Sequence, residues 1–364
     1  MTQLLSTLLP VLAWAAIPVT LIAVIDDWFL RPRRRLAQGG ATPPDPPLMR
    51  GFYLLLPVVL IAVVLELLGS EKLDFSLVLI IVVAAAGAVW LIDHLVFAPL
   101  RRRAAQAAGR DPAQQPVPVT VDYARSFFPV AVVVLLVRAF VFEPFRIPSD
   151  SMMPTLLDGD FIVVNKFAYG LRLPVLGTKF ADTGEPHRGD VVVFHYPPEP
   201  SINYIKRLVG LPGDHVEIVS DQIIINGQPV PLQANGRYDD GCYHNMRLST
   251  EELGTHSHQT LSCLTPGDLM VPPGPTCNRR LERNYVCEEP SVPGQHDRND
   301  MHEIEVPPGH YLMIGDNRDN SSDGRIWGFV PEDHLVGKAT RIWFNWDLQR
   351  SGGPKWSRMG RRID

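Results

Sequence analysis

The chain has 364 residues, of which 46% are hydrophobic and 20% charged, with a formal net charge of −5. Its near-neutral average hydropathy mixes a strongly apolar N-terminal third with a polar remainder, which supports a two-part protein. A balance this close to neutral carries no basic footprint for nucleic acid, and none is expected as a partner.

Residues 1–25 hold no charged side chain and run into Asp26-Asp27, after which Arg31-Pro32-Arg33-Arg34-Arg35 follows. A cleavable signal peptide has its positive charges before the apolar run, so the reversed order predicts a spanning helix over about 4–25. It starts outside and ends in the cytoplasm, by the positive-inside rule. Further spans are expected at about 51–69, 75–97 and 124–142. At 1.5 Å per residue each of the first three can cross an apolar core of about 30 Å. The fourth has only twelve uncharged residues, Ser126 to Val137, before Arg138. An arginine near a helix end can snorkel, so this segment is also expected to cross, a surface-lying helix being the alternative.

Arg31 to Arg35 with Arg50, and Arg101 to Arg103 with Arg110, mark loops at about 26–50 and 98–123 as cytoplasmic. The short loop Ser70-Glu71-Lys72-Leu73-Asp74 is mixed in charge and external. Four crossings then leave 143–364 outside the cell membrane and make 1–142 the membrane region. Pro43-Pro44-Asp45-Pro46-Pro47 and the Ala/Gln-rich 104–118 predict unstructured connections. One repeat stands out: Ile25-Asp26 with Pro32 and Arg34-Arg35 recurs 67 residues later as Ile92-Asp93 with Pro99 and Arg101-Arg102. It reads either as a duplicated membrane helix or as the common look of inward-going helix ends.

Beyond 143 the pattern turns to β structure. Phe161–Val164, Val191–Phe194, Val216–Val219, Ile223–Ile225 and Tyr311–Ile314 are β-branched or aromatic runs. Turn signatures such as Asp158-Gly159-Asp160, Pro212-Gly213-Asp214, Asn226-Gly227 and Pro307-Pro308-Gly309 separate them. About 220 residues suffice to bury a core, and the spacing predicts an all-β domain of coiled or barrel-like sheets. Residues of about 230–303, rich in Pro, Asn and Gly, contain Cys242, Cys263, Cys277 and Cys287. An even, clustered set on the outer side predicts disulfides, with three pairings open. Zinc is the alternative, but there is no Cys-x-x-Cys, and His244, His256, His258 and His296 fall into no recognised ligand pattern. HExxH and GxSxG motifs are absent too. No metal or cofactor is expected.

Chemistry concentrates at Ser151 and, fifty-five residues on, Lys206. A serine hydroxyl needs a base to take its proton as it attacks a carbonyl, and a neutral lysine amine can serve. Bringing a lysine from about 10.4 toward neutrality takes roughly 2–3 pKa units, which burial can supply. Ile205 and Leu208-Val209-Gly210-Leu211 offer apolar cover, while Arg207 must point elsewhere or find an anion. Taken alone, such a pair reads as a surface hydroxyl and a solvated charge.

Three boxes change that reading. Pro148-Ser149-Asp150-Ser151-Met152-Met153-Pro154-Thr155-Leu156, Tyr204-Ile205-Lys206-Arg207-Leu208-Val209-Gly210-Leu211-Pro212-Gly213-Asp214 and Gly315-Asp316-Asn317-Arg318-Asp319-Asn320-Ser321-Ser322-Asp323-Gly324-Arg325 resemble those of the bacterial type I signal peptidases. A fourth stretch, Arg188-Gly189-Asp190-Val191-Val192-Val193-Phe194, resembles the strand this family places between nucleophile and lysine.

The resemblance implies Ser151 as nucleophile, Lys206 as general base, and Ser149 with the Ser151 N–H as oxyanion hole. It implies Ser321 holding the Lys206 amine, with ion pairs Asp323–Arg325 and Arg207–Asp316 in support. Phe145, Ile147, Leu156, Ile162, Val193 and Ile205 would line pockets for small side chains at −1 and −3 of the substrate, although each serves equally well as core. It further implies two subdomains, the second inserted at about 230–303. The substrates would be signal peptides of exported preproteins, cut at the outer face of the inner membrane with the catalytic domain in the periplasm. The bilayer would be a partner, and a translocation partner is one candidate use for the first two helices, which look like an addition. Asp150 departs from the glycine usual in Gram-negative members. Two other classes share some of these features: a self-cleaving repressor-type Ser-Lys protein, which needs no membrane helices, and a membrane receptor with an external β domain.

Overall fold

The computed structural model describes residues 15, 18–31, 33–34, 46–55, 58, 63, 75–107, 109, 111, 117–174, 177–219, 221–240, 243–263, 269–271, 285–288, 300–346 and 353–364. The chain divides into two compact units, Met1–Ala139 and Phe140–Asp364.

Among the described residues two helices are long and apolar enough to cross a membrane, Leu77–Ala107 and Val119–Phe140. The expected spans at 4–25 and 51–69 lie largely outside the described residues, so about four crossings reduce here to two apolar helices. Both helices correct the expected boundaries. The first runs on past residue 97 to Ala107, because Ala98–Ala107, apart from Pro99, is built of alanine, leucine, arginine and glutamine, all good helix formers. The stretch 104–107, expected as unstructured loop, is therefore helical, as is 47–50. The second helix begins at Val119 rather than 124 and ends at Phe140 rather than 142. Its start is capped by Asp27, whose carboxylate accepts hydrogen bonds from Thr120 N (2.8 Å) and Thr120 Oγ1 (2.9 Å). Thr120 N is one of the first-turn donors that a helix cannot satisfy internally. Its end is set by Pro144, which disfavours helical geometry at Glu143 and leaves Phe142–Arg146 as a strand.

The sequence repeat recurs in the backbone. A single π turn occupies Asp26–Leu30, and another occupies Asp93–Phe97, at the same offset of 67. In each, the buried leading aspartate pairs with the arginine eight residues on: Arg34 Nη2 to Asp26 Oδ2 at 2.9 Å, and Arg101 Nη2 to Asp93 Oδ2 at 2.9 Å. Trp28 of the first turn packs edge-on against Phe97 of the second.

The second unit is β structure. Its largest sheet orders seven strands as Phe142–Arg146, Asp160–Asn165, Leu335–Asn345, Val191–His195, Asn203–Gly210, His310–Ile314 and Val330–Pro331, all neighbours antiparallel. A four-stranded sheet joins Met301–Glu305, His215–Val219, Gln222–Ile225 and Gln228–Pro229. Its last hairpin turns at Asn226-Gly227, both with positive φ (52° and 74°), the backbone a two-residue type I′ turn demands. All five β-branched or aromatic runs picked out from the sequence lie in strands of these two sheets.

Residues 230–303, marked by their Pro, Asn and Gly content, prove to carry long strands. Leu232–Asp240, Tyr243–Leu253 and His256–Cys263 pair antiparallel, and Tyr285–Glu288 and Leu269–Val271 complete a five-stranded sheet. The expected disulfides rest on Cys242, Cys263, Cys277 and Cys287, whose side chains lie outside the described residues.

The core under the large sheet gathers Ile147, Met152, Leu156, Ile162, Val164, Val191, Val193, Ile205, Ala339 and Ile342. Residues far apart in sequence thus meet where the turn carrying Ser151 enters the sheet.

Candidate active site

The turn that carries Ser151 is closed at its base and held from both sides. Ile147 N donates to Asp160 O (2.8 Å) and Gly159 N returns to Ile147 O (2.9 Å), pinching residues 148–158 into a loop. Asp160 is fixed in turn by Asn345 Nδ2 and Arg358 Nε, both 2.8 Å from its Oδ1, while Arg358 Nη2 donates to Thr155 O at 3.0 Å. Within the loop Met152, Met153 and Leu156 have no exposed surface, so the apolar residues anchor the turn from below. From the other side Asn317 N donates to Ser151 O and Asn317 Nδ2 to Asp150 O, each at 3.1 Å.

Lys206 stands on Asn203–Gly210, an inner strand bonded on one edge to Val191–His195 and on the other to His310–Ile314. Successive side chains of a strand point to opposite faces, so Lys206 and Arg207 diverge. Lys206 Nζ reaches Ser151 Oγ at 2.6 Å, with both residues buried. Arg207 finds its anion in Asp316, through Nε to Oδ1 and Nη2 to Oδ2, both 2.8 Å. Thr155 Oγ1 adds a bond to Asp316 Oδ2 at 2.5 Å.

Burial drives the Lys206 ammonium down from 10.5 to about 8. Asp323 and Asp316 pull the other way and Arg325 assists, so each carboxylate that would keep the lysine charged has a guanidinium of its own. Arg325 grips Asp323 with Nε and Nη2, both at 2.8 Å, and Gly315 N donates to the same carboxylate at 3.0 Å. Burial works against both carboxylates, but the paired guanidiniums outweigh it and hold Asp316 and Asp323 below the usual carboxylate range. The amine is still mostly protonated at pH 7, but its neutral fraction there, about a tenth, far exceeds that of an ordinary lysine.

The other expected residues are placed less uniformly. Ser149 is exposed, with its Oγ 3.4 Å from Ser151 Oγ, at the long limit for a hydroxyl bond. The Ser321 oxygen is buried and makes no hydrogen bond to Lys206 in this structure. Phe145, Ile147, Leu156, Ile162, Val193 and Ile205 all belong to one apolar cluster beside Ser151, with Phe145 only partly buried and Leu156 and Ile162 fully enclosed.

Several contributors were not singled out from sequence. Gly315 passes so near Ser151 that a Cβ there would lie 2.6 Å from Ser151 O and closer still to Ser321 Oγ. Tyr204, two residues before the lysine, holds its ring 5.5 Å from Nζ and stacks on Tyr196 at 4.2 Å. Asn317 and Thr155 lay inside the quoted boxes without assigned roles, and Arg358 carried no signal at all.

Comparison with known proteins bears on this site. The family model "Signal peptidase, peptidase S26" matches residues 120–344. The chain belongs to the signal peptidase family. That span includes Ser151, Lys206, Ser149, Ser321 and both Asp–Arg pairs. Signal peptidase I of Pseudomonas aeruginosa is 43% identical over 310 residues, covering 79% of this chain and 98% of that protein. Signal peptidase I of Haemophilus influenzae is 31% identical over 324 residues, covering 79% and 90%. A crystal structure of a signal peptidase I from Enterococcus faecalis aligns with 42% of this chain and 96% of its own at 22% identity, with a TM-score of 0.22. As a signal peptidase family member the chain is a peptidase with a β domain of that type.

Proposed function

We propose that this peptidase cleaves signal peptides from exported preproteins with a Ser151–Lys206 dyad. The observation that carries the reading is the buried 2.6 Å contact between Lys206 Nζ and Ser151 Oγ, on an amine brought down to about 8. Neutral Lys206 accepts the Ser151 proton as Oγ attacks the scissile carbonyl. The proton passes to the leaving amine as the C–N bond breaks, leaving an acyl ester on Ser151. Lys206 then takes a proton from water as its oxygen attacks the ester, and hands that proton to Ser151 Oγ as the acyl C–O bond breaks and the product acid leaves. Ser149 Oγ and the Ser151 N–H stabilise the oxyanion, each donor contributing about 3 kcal/mol. Ser321 is assigned as a support for the Lys206 amine, on the strength of its place in the third box. The chemistry needs no cofactor.

The cluster Phe145, Ile147, Leu156, Ile162, Val193 and Ile205 supports shallow pockets that admit small residues at −1 and −3. Exposed Phe142, Trp343, Trp346 and Trp356 support contact of the domain with a lipid surface, where aromatic rings gather. The membrane region, 1–142, crosses the inner membrane four times, and 143–364, with its insert of about 230–303, works in the periplasm. The first two spans are a candidate contact for the translocation machinery.

In membranes whose only signal peptidase is Ser151→Ala, uncleaved preprotein is expected to accumulate. Normal processing by that variant would sink the dyad. For topology, a reporter that is active only in the periplasm is expected to be active when fused after Glu143. An inactive fusion there would overturn the four-crossing layout.

A further inference from the structure

The loop that supports the dyad is itself held by the five-stranded sheet, through charges that the proposed chemistry does not use. Glu251, on Tyr243–Leu253, is fully buried, and its Oε2 accepts from Arg318 Nη2 at 2.7 Å. His258, its cross-strand partner, places Nε2 3.3 Å from that same oxygen and 3.8 Å from Asp316 Oδ1. A backbone bond from Leu261 N to Asp316 O (2.9 Å) and a parallel bridge between Leu261 and Asn317 fasten the same junction. Although burial pushes Glu251 up, Arg318 and His258 bring it down to about 2, so it is an anion throughout the working range.

Arg318 leads from this junction to the nucleophile by two routes. Its carbonyl accepts from Arg325 Nη2 at 2.7 Å; Arg325 clasps Asp323, and Asp323 accepts from Gly315 N, whose Cα carries no Cβ where one would meet the Ser151 carbonyl. Its chain neighbour Asn317 donates to Ser151 O and Asp150 O. We infer that Glu251 is a positioning residue: its grip on Arg318 fixes the loop Gly315–Arg325, and thereby the distance between Ser151 Oγ and Lys206 Nζ. Stability alone does not explain such a chain of charges, because well-packed apolar side chains commonly match a buried ion pair. Placement does, since a shift of about 1 Å at reacting atoms can cost 100-fold in rate.

The inference rests on the proposed dyad and is tested on the full-length protein in detergent with a fluorogenic signal-peptide substrate. Glu251→Gln keeps the shape and removes the charge. It is expected to lower kcat about 10- to 100-fold with KM within about twofold, because the pocket cluster lies on other strands. Arg318→Met is expected to give the same split, and the double variant to lose no more than either single, as parts of one unit do. Exposed Glu252→Gln, its neighbour, is expected to match wild type. If Glu251→Gln does not fold, Arg318→Lys, which keeps the charge and loses the fork, replaces it with the same split expected. An unchanged kcat, a loss that vanishes at a lower temperature where the variant is fully folded, or strictly additive losses would overturn the positioning role. Absence of cleavage by the wild type would instead remove the proposed function.

Discussion

Lys206→Met is expected to abolish turnover and, at pH 7, to make the catalytic domain more stable than wild type. Methionine keeps the length of the side chain and removes the charge that burial opposes. The folded amine sits at about 8 against 10.5 when unfolded. Below about 8 both states hold the proton, and the folded protein bears the whole burial cost, about 3 kcal/mol. Between about 8 and 10.5 the unfolded chain binds a proton that the folded chain lacks, so wild-type stability rises with pH. Above 10.5 the cost has gone. The gain from methionine is therefore full at pH 7 and disappears through the alkaline range, which thermal melts of both proteins at pH 7 and above pH 10.5 would read. Turnover should fall at least about 10⁴-fold, the scale on which dyad and triad members act. In wild type, kcat/KM is expected to rise with pH through about 8. A variant less stable at pH 7, or a wild-type acid limb near 10.5, would mean that a partner stabilises the ammonium and offsets its burial.

Arg207→Met attacks the same balance from its other side. The guanidinium makes two bonds to Asp316, one to Gly189 O at 2.6 Å and one to Asp364 O at 3.0 Å, with almost no exposed surface. Its removal leaves a buried carboxylate without its counter-charge, a change that typically costs about 3–5 kcal/mol. Asp316 is also one of the two anions that favour the Lys206 ammonium, so the acid limb of kcat/KM should move above its wild-type position. Asp316→Asn in the Arg207→Met background should recover much of the stability and return the limb, because a neutral amide no longer needs the partner. Loss of stability without movement of the limb would separate the pair from the dyad. Recovery of neither would mean that Arg207 matters mainly through Gly189 and Asp364.

Local signals carried much of this architecture. The strand runs at 191–194 and 223–225 were visible because β-branched residues follow one another between turn residues, and Asn226-Gly227 announced its own turn. Ser151, Lys206, Asp316 and Asp323 were visible only as boxes, since nothing in a lone serine or lysine distinguishes it from a solvated one. Hidden contributors act through space instead. Arg358 lies 198 residues from Asp160, and Glu251 lies 67 from Arg318; no periodicity links such pairs. Gly315 was readable as part of a box but not as a contact, because its role is the side chain it lacks. The helix ends were misjudged for a related reason. Asp27, 93 residues before Thr120, supplies the cap that starts the helix at Val119.

The paired π turns have a geometric consequence for the membrane region. On a regular helix successive residues advance by about 100°, so residues eight apart are about 80° out of line. A π turn absorbs one extra residue, which makes eight steps count as about seven and brings the two side chains back to within about 20°. Asp26 can meet Arg34, and Asp93 can meet Arg101, only because of that inserted residue. Each turn thus acts as a rotational spacer, turning an arginine-bearing helix end onto the face of its own aspartate, and the same correction is written twice, 67 residues apart.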